Sequence, residues 1–226
     1  MRSISVAIDG PAGAGKSTVA RLVAQQLHLT YVDTGAMYRA VTLQALKRGI
    51  DVTDEGAVAR LANQMDIALT PADGELDVFV DGQRITEEIR TPEVTTHVSA
   101  VAGNPEVRKI LAQKQREMGE EGGVVMDGRD IGTHVLPAAE LKVYLTASIE
   151  ERAQRRYNEL VQKGYQLDWE QLKEEIRYRD EQDRNRQHSP LKPADDAVHL
   201  DTTGLTIPEV VQAILDLSRT KVGGGE

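Results

Sequence analysis

Ile8-Asp9-Gly10-Pro11-Ala12-Gly13-Ala14-Gly15-Lys16-Ser17-Thr18 sets the architecture of this chain. It fits G-x-x-x-x-G-K-[ST], the phosphate-cradling loop. Glycines let the backbone curl so that successive N–H groups point at phosphate oxygens, a concavity that side chains would obstruct. Lys16 supplies a mobile positive charge near the β- and γ-phosphates, the Ser17 hydroxyl can hold Mg²⁺, and the following helix adds its positive N-terminal end. Ile4 to Ile8 before the loop reads as an apolar strand, and Val19, Leu22, Val23 and Leu27 after it recur at helical spacing. A strand–loop–helix is the context the motif requires; a ligand-free glycine turn is the alternative. The expectation is a nucleoside triphosphate site built from Gly10 to Thr18.

Outward from the loop, strand and helix signals alternate, which predicts a parallel sheet covered by helices. Thr30 to Asp33, Val124 to Met126, Leu141 to Leu145 and Ala197 to Leu200 supply four more strands, for five in all. Helical spacing is expected from Met37 to Leu46, stopped by Gly49, and again from Asp54 to Met65. Ser148-Ile149-Glu150-Glu151 is a capping box for a helix running towards Gly164, and Thr206-Ile207-Pro208-Glu209 opens the last one. The tail from Val222 is expected to fray.

The rhythm changes between Ile67 and Thr91. Ile67 to Thr70, Leu76 to Val80 and Gln83 to Ile85 are short strands, with hairpin turns at Asp73-Gly74 and Asp81-Gly82. Thr91-Pro92-Glu93 and Asn104-Pro105-Glu106 each start a helix with a cap and an N1 proline. The expected organisation is one α/β unit: a core over 1–64, 106–150 and 195–220, a small α+β insert over 65–105, and an arginine-rich lid over 151–194.

Composition sets limits on function. A length of 226 residues suits a single domain with an inserted lobe. No apolar run is long enough to span a membrane, there is no cysteine, and the strand signal begins almost at once, so a cytoplasmic protein without a secretory signal is expected. The net charge of −9 argues against a nucleic-acid binder and requires positive charge to be gathered locally if polyphosphate is held.

Three clusters could gather it. Thr34 and Arg39, in Asp33-Thr34-Gly35-Ala36-Met37-Tyr38-Arg39, follow the second strand; they could face an anion, or cap the helix and lie in solvent. Asp127-Gly128-Arg129-Asp130 follows the third strand, where an arginine can grip a phosphoryl group. Arg177, Arg179, Arg184 and Arg186 are interleaved with Asp180, Glu181 and Asp183. That run is either a salt-bridge-laced helix face or a flap closing over phosphates. No Asn-Lys-x-Asp base-reading motif occurs, and the five histidines lack ligand spacing.

Taken in order, IDGPAGAGKST, VDTGAMYR, EIRTPEV, MDGRDIGT and RDEQDRNR followed by SPL resemble the bacterial cytidylate kinases of the nucleoside monophosphate kinase family. The resemblance implies a five-stranded parallel P-loop kinase core with helices on both faces, an inserted monophosphate-binding lobe and an arginine-rich lid. It implies that Gly10 to Thr18 cradle ATP with Mg²⁺ near Ser17, and that Thr34, Arg39, Ser99, Arg108, Asp127, Arg129, Asp130, Asp183 and Arg186 line a CMP site. Lys16, Arg129, Arg179 and Arg186 would then serve transfer of the γ-phosphoryl group to CMP or dCMP. The expected partners are these small molecules alone, with no nucleic acid, no membrane and a monomeric state. A kinase of UMP, AMP or shikimate, or a non-catalytic NTP-binding switch, are the rival readings.

Overall fold

The computed structural model describes residues 4–72, 75–120 and 123–223. Strand β1 (Val6–Asp9) leads into the phosphate loop and helix α1 (Lys16–Leu27), followed by β2 (Thr30–Asp33) and α2 (Thr34–Lys47). Next come α3 (Glu55–Gln64), a hairpin and short third strand as β3 (Ile67–Ala72), β4 (Glu75–Val80) and β5 (Gln83–Arg84), then α4 (Pro92–Gly103) and α5 (Pro105–Glu120). Strand β6 (Val124–Gly128) returns to the main sheet. It is followed by a single wide helical turn at Ile131–Val135, β7 (Leu141–Thr146), α6 (Ile149–Gln162), α7 (Trp169–Asn185), β8 (Val198–Asp201) and α8 (Ile207–Gly223).

The main sheet has the order β2-β6-β1-β7-β8, and β1 lies parallel to both β6 and β7, as does β7 to β8. Val6, Ala7 and Ile8 are wholly buried, as are Val124, Val125 and Met126. Successive strand residues point to opposite faces, so burial without alternation means helices cover both sides. The outer strand β8 alternates between half-buried and exposed positions, as an edge does. This is the expected five-stranded α/β core.

Two compact units emerge, one of Met1–Thr30 with Gly122–Glu226 and one of Tyr31–Glu121. The second is broader than the insert expected at 65–105. Its apolar cluster runs without a break from Met37 and Val41 of α2 through Val58 and Leu61 of α3, Val78 and Val80 of the small sheet, to Val107 and Leu111 of α5. The small sheet is too slight to hold a core alone, so its inner residues join those of the flanking helices.

Several local signals act as their chemistry requires. Asp54 caps α3 through Ala57 N–H, Thr91 caps α4, and Ser148 caps α6 through Glu151 N–H. Asp81-Gly82 turns the β4–β5 connection with both residues at positive φ. One reading changes: Thr34, offered as a cap, is instead the first helical residue of α2. The cap is Asp33, whose carboxylate accepts from Ala36 N–H at 2.9 Å. The carboxylate ends the strand with its oxygen already over the open N–H groups, so the threonine is carried into the turn. The Asp73-Gly74 turn lies outside the described residues. Helix α8 runs through Gly223, into the tail expected to fray from Val222; the remainder of that tail, 224–226, lies outside the described residues.

Candidate active site

Backbone geometry builds the loop first. Gly10 approaches the Leu145 carbonyl so closely that a Cβ there would stand 2.1 Å from its oxygen. Gly15, at φ 84°, turns the chain into α1 as its N-cap and carries no side chain to cap it. The first N–H groups of α1 are therefore left facing outward for an anion.

Lys16 is buried, and its Nζ donates to the Pro11 carbonyl at 2.7 Å. Burial, with the Arg129 guanidinium and then Arg179 nearby, pushes its pKa down to about 7, against a lesser pull from Asp127. The Ser17 hydroxyl donates to Asp127 Oδ2 at 2.9 Å. Its lone pairs remain available, and hard oxygens of this kind suit Mg²⁺. Among the described residues no group of three or more His, Cys, Asp or Glu stands where it could hold a metal ion.

Around the loop the charged groups pair closely. Arg129 Nε donates to Asp183 Oδ2 at 2.8 Å. Burial disfavours the charge of Arg129, but Asp183, Asp127 and Asp180 outweigh it and hold the guanidinium protonated. Burial likewise works to raise Asp183, yet Arg129, Arg179 and Arg186 keep it below the usual carboxylate range. Arg186 Nε donates to the Asp183 carbonyl at 3.3 Å. Along the α7 charge run, Arg177 is 55% exposed and pairs outward with Glu174, whereas the side chain of Arg186, the residue that caps the helix C-terminus, is 9% exposed and turns towards Asp183.

In the second unit, Arg39 donates to Thr95 Oγ1 at 2.9 Å and reaches the Ile89 carbonyl at 3.4 Å. The Arg108 guanidinium lies 5.5 Å over the Tyr38 ring and donates to the Ala102 carbonyl. Thr34, buried, stands one turn before Tyr38 on the same face of α2. Ser99 is half-buried on α4.

The family model for cytidylate kinase matches residues 6–220. The chain belongs to the cytidylate kinase family. It is similar to the cytidylate kinases of Anoxybacillus flavithermus, 53% identical with 99% of each chain covered, and Bacillus subtilis, 52% identical over 97% of this chain and 98% of that one. The cytidylate kinase of Listeria monocytogenes serotype 4a is 54% identical, with 98% of each covered. An uncharacterized protein of Eubacterium ventriosum shares the fold, with a TM-score of 0.53 at 9% identity, covering 96% of this chain and 98% of its own.

The residues that resemble the family pattern divide between the units. Gly10 to Thr18, Asp127, Arg129, Asp130, Arg179, Asp183 and Arg186 belong to the first, and Thr34, Arg39, Ser99 and Arg108 to the second. Three groups around the loop had no role assigned from the sequence. Asp9 is buried and accepts the Ile131 and Gly132 N–H groups at 2.8 Å each, anchoring the wide turn behind Asp130. Burial pushes its pKa up to about 6 against those two bonds, with the Asp130 charge adding to the rise. Arg152 and Asp180 form a buried ion pair at 2.7 Å. An acid closing an apolar strand was a visible sign for Asp9; nothing in local spacing marked Arg152.

Proposed function

We propose that this chain transfers the γ-phosphoryl group of ATP to the 5′-phosphate of CMP and dCMP, releasing ADP and CDP or dCDP. What carries the reading is the gathering of Lys16, Arg129, Arg179, Asp127 and Asp183 within electrostatic reach of one another beside the open N-terminus of α1. A passive triphosphate site needs the loop and its lysine; it has no use for two further arginines crowding that lysine. Such crowding is unfavourable until negative charge arrives, and phosphoryl transfer is where such charge spreads over equatorial oxygens.

An oxygen of the acceptor phosphate attacks the γ-phosphorus while the bond to the bridging oxygen of ADP breaks. That phosphate is a competent nucleophile near neutral pH, so no strong general base is needed, and catalysis comes from alignment and charge neutralisation. Ser17 would help to hold Mg²⁺, which when bound would supply charge screening for the triphosphate. Lys16 and Arg129 stay with the transferring group, with Arg179 and Arg186 presented from the lid at 151–194. Thr34, Arg39, Ser99 and Arg108, with Asp127, Asp130 and Asp183, serve the acceptor, as the family resemblance implies. We place the enzyme in the cytoplasm as a monomer; no described helix is long and apolar enough to cross a membrane.

A coupled assay of ADP release with CMP, dCMP, UMP and AMP tests the reading. Release should depend on acceptor and be fastest with the cytosine nucleotides. A stronger response to UMP or AMP would overturn the substrate, and acceptor-independent release would overturn the reaction.

A further inference from the structure

Helix α7 carries its buried stripe at Leu172, Ile176, Asp180 and Asp183. These positions follow helical spacing, so all four share one face. The first half is apolar and packs with Ala153, Leu160 and Tyr157 of α6. The second half places two carboxylates where an amphipathic helix would continue with leucine or valine. Each meets an arginine from another element, Asp183 with Arg129 and Asp180 with Arg152.

The second pair is the deeper one. Arg152 exposes 5% of its side chain and Asp180 4%. Arg152 also donates from Nε to the Ala147 carbonyl at 3.1 Å and from NH1 to the Ala12 carbonyl, inside the phosphate loop, at 3.0 Å. Its own Cβ stands 3.2 Å from where a Cβ on Gly13 would be, so the loop lies directly on it. Meanwhile Asp180 Oδ1 is buried with no hydrogen-bond partner.

As a device for stability alone this is poor. Burying an ion pair costs desolvation that its attraction roughly offsets, and an unsatisfied carboxylate oxygen adds to the cost. A matched apolar pair would seat α7 at least as well. What an apolar stripe lacks is a unique register, whereas a guanidinium fork satisfied by three fixed oxygens admits one. The bond to Ala12 has a further effect. Its peptide is planar and trans, so turning the carbonyl towards Arg152 turns the Gly13 N–H the opposite way.

We propose that Arg152 and Asp180 are a positioning pair that keys α7 to the phosphate loop, fixing where Arg179 stands about Lys16 and where Arg186 stands about Asp183. Arg179 is the chain neighbour of Asp180, and Arg186 lies one turn beyond the other pinned carboxylate, so a slip of α7 displaces both. The pair touches no reacting atom; it acts through the arginines it places and the loop peptide it orients. This role rests on the kinase reading above.

Three variants test it: Asp180→Asn, Arg152→Lys, and the apolar double Arg152→Met with Asp180→Leu. Asp180→Asn should lower kcat at least about thirtyfold with KM for ATP held within about threefold, the pattern of a contribution made in the transition state. The double variant should regain the thermal stability that either single change loses, yet stay at least about thirtyfold down in kcat. A double variant that recovers both would overturn the proposal, because the pair would then be packing and nothing more. If the double variant does not fold, parent-like kcat in Asp180→Asn or Arg152→Lys overturns it equally. A second readout is independent of the acceptor. Trp169, the one tryptophan, opens α7 with its ring edge-on to Tyr157 at 5.7 Å. ATP should change its emission in the parent and not in Asp180→Asn; equal responses refute the keying. A parent inactive with every monophosphate would sink the kinase reading while leaving this fluorescence comparison to judge the pair.

Discussion

Raising the pH should weaken ATP binding far more steeply than an ordinary lysine allows, and Lys16 is the reason. Its ammonium is buried, faces Arg129 and Arg179, and titrates at about 7. Triphosphate binding requires the charged form, so above that pH each molecule bound must first take up a proton. Between about pH 7.5 and pH 9 the deprotonated fraction rises so that the apparent Kd for ATP should increase about 25-fold, or about 1.9 kcal/mol. Over the same range a phosphate group has already lost its last proton, so the ligand adds little slope. A lysine near its ordinary value of 10.5 would change the affinity by only a few per cent.

Isothermal titration calorimetry in buffers of different ionisation enthalpy measures both quantities, and about one proton should be taken up per ATP near pH 8.5. Lys16→Met should bind weakly with a flat pH profile. A change in Kd below about threefold, or no proton uptake, would refute the claim that burial and the arginines hold this lysine poised for its ligand. The free protein should respond in the opposite sense. The folded pKa lies below the unfolded one, so the cost of the buried charge is fully present below about pH 7 and is lifted as pH rises towards 10.5.

Three further outcomes test the framework. Gly10→Ala drives a methyl group against the Leu145 carbonyl, so chemical denaturation should show a loss of about 3 kcal/mol or more. Asp9→Asn removes one of two acceptors for the Ile131 and Gly132 N–H groups, and should cost about 1–3 kcal/mol. Because the pKa of Asp9 is raised on folding, to about 6, the parent loses stability relative to that variant as pH climbs from 3.8 to about 6. Stability measured at both ends of that window should show the gap narrowing; a widening gap would reverse the assignment. Asp33→Ala should cost about 1 kcal/mol by uncapping α2, whereas Thr34→Ala should leave the cap intact, a contrast that thermal melts resolve.

Much of the fold was legible because its signals are local. The five core strands, the caps at Thr91 and Ser148 and the Asp81-Gly82 turn each depend on neighbours within four residues. The second unit's extent was less legible. Whether Val78 and Val80 share a core with Val58 and Leu111 depends on contacts across the chain, which periodicity does not encode. The cap on α2 was misread for a related reason: Asp33 and Thr34 are both good caps, and the end of the strand chooses between them.

The phosphate loop stands at the boundary of the two kinds of knowledge. Its spacing determined by itself that glycines would turn there, that a lysine would face phosphate and that a helix would follow, since these are properties of one short segment. The tertiary structure decided what surrounds that segment. Parallel pairing of β1 with β6 places Asp127 against Ser17, and packing of α7 brings Asp180 and Asp183 to Arg152 and Arg129. Those partners come from positions more than a hundred residues away, or from the buried face of a helix whose charges look solvated in a linear reading. Charge pairing at such range depends on distance and burial, and only the folded chain has either.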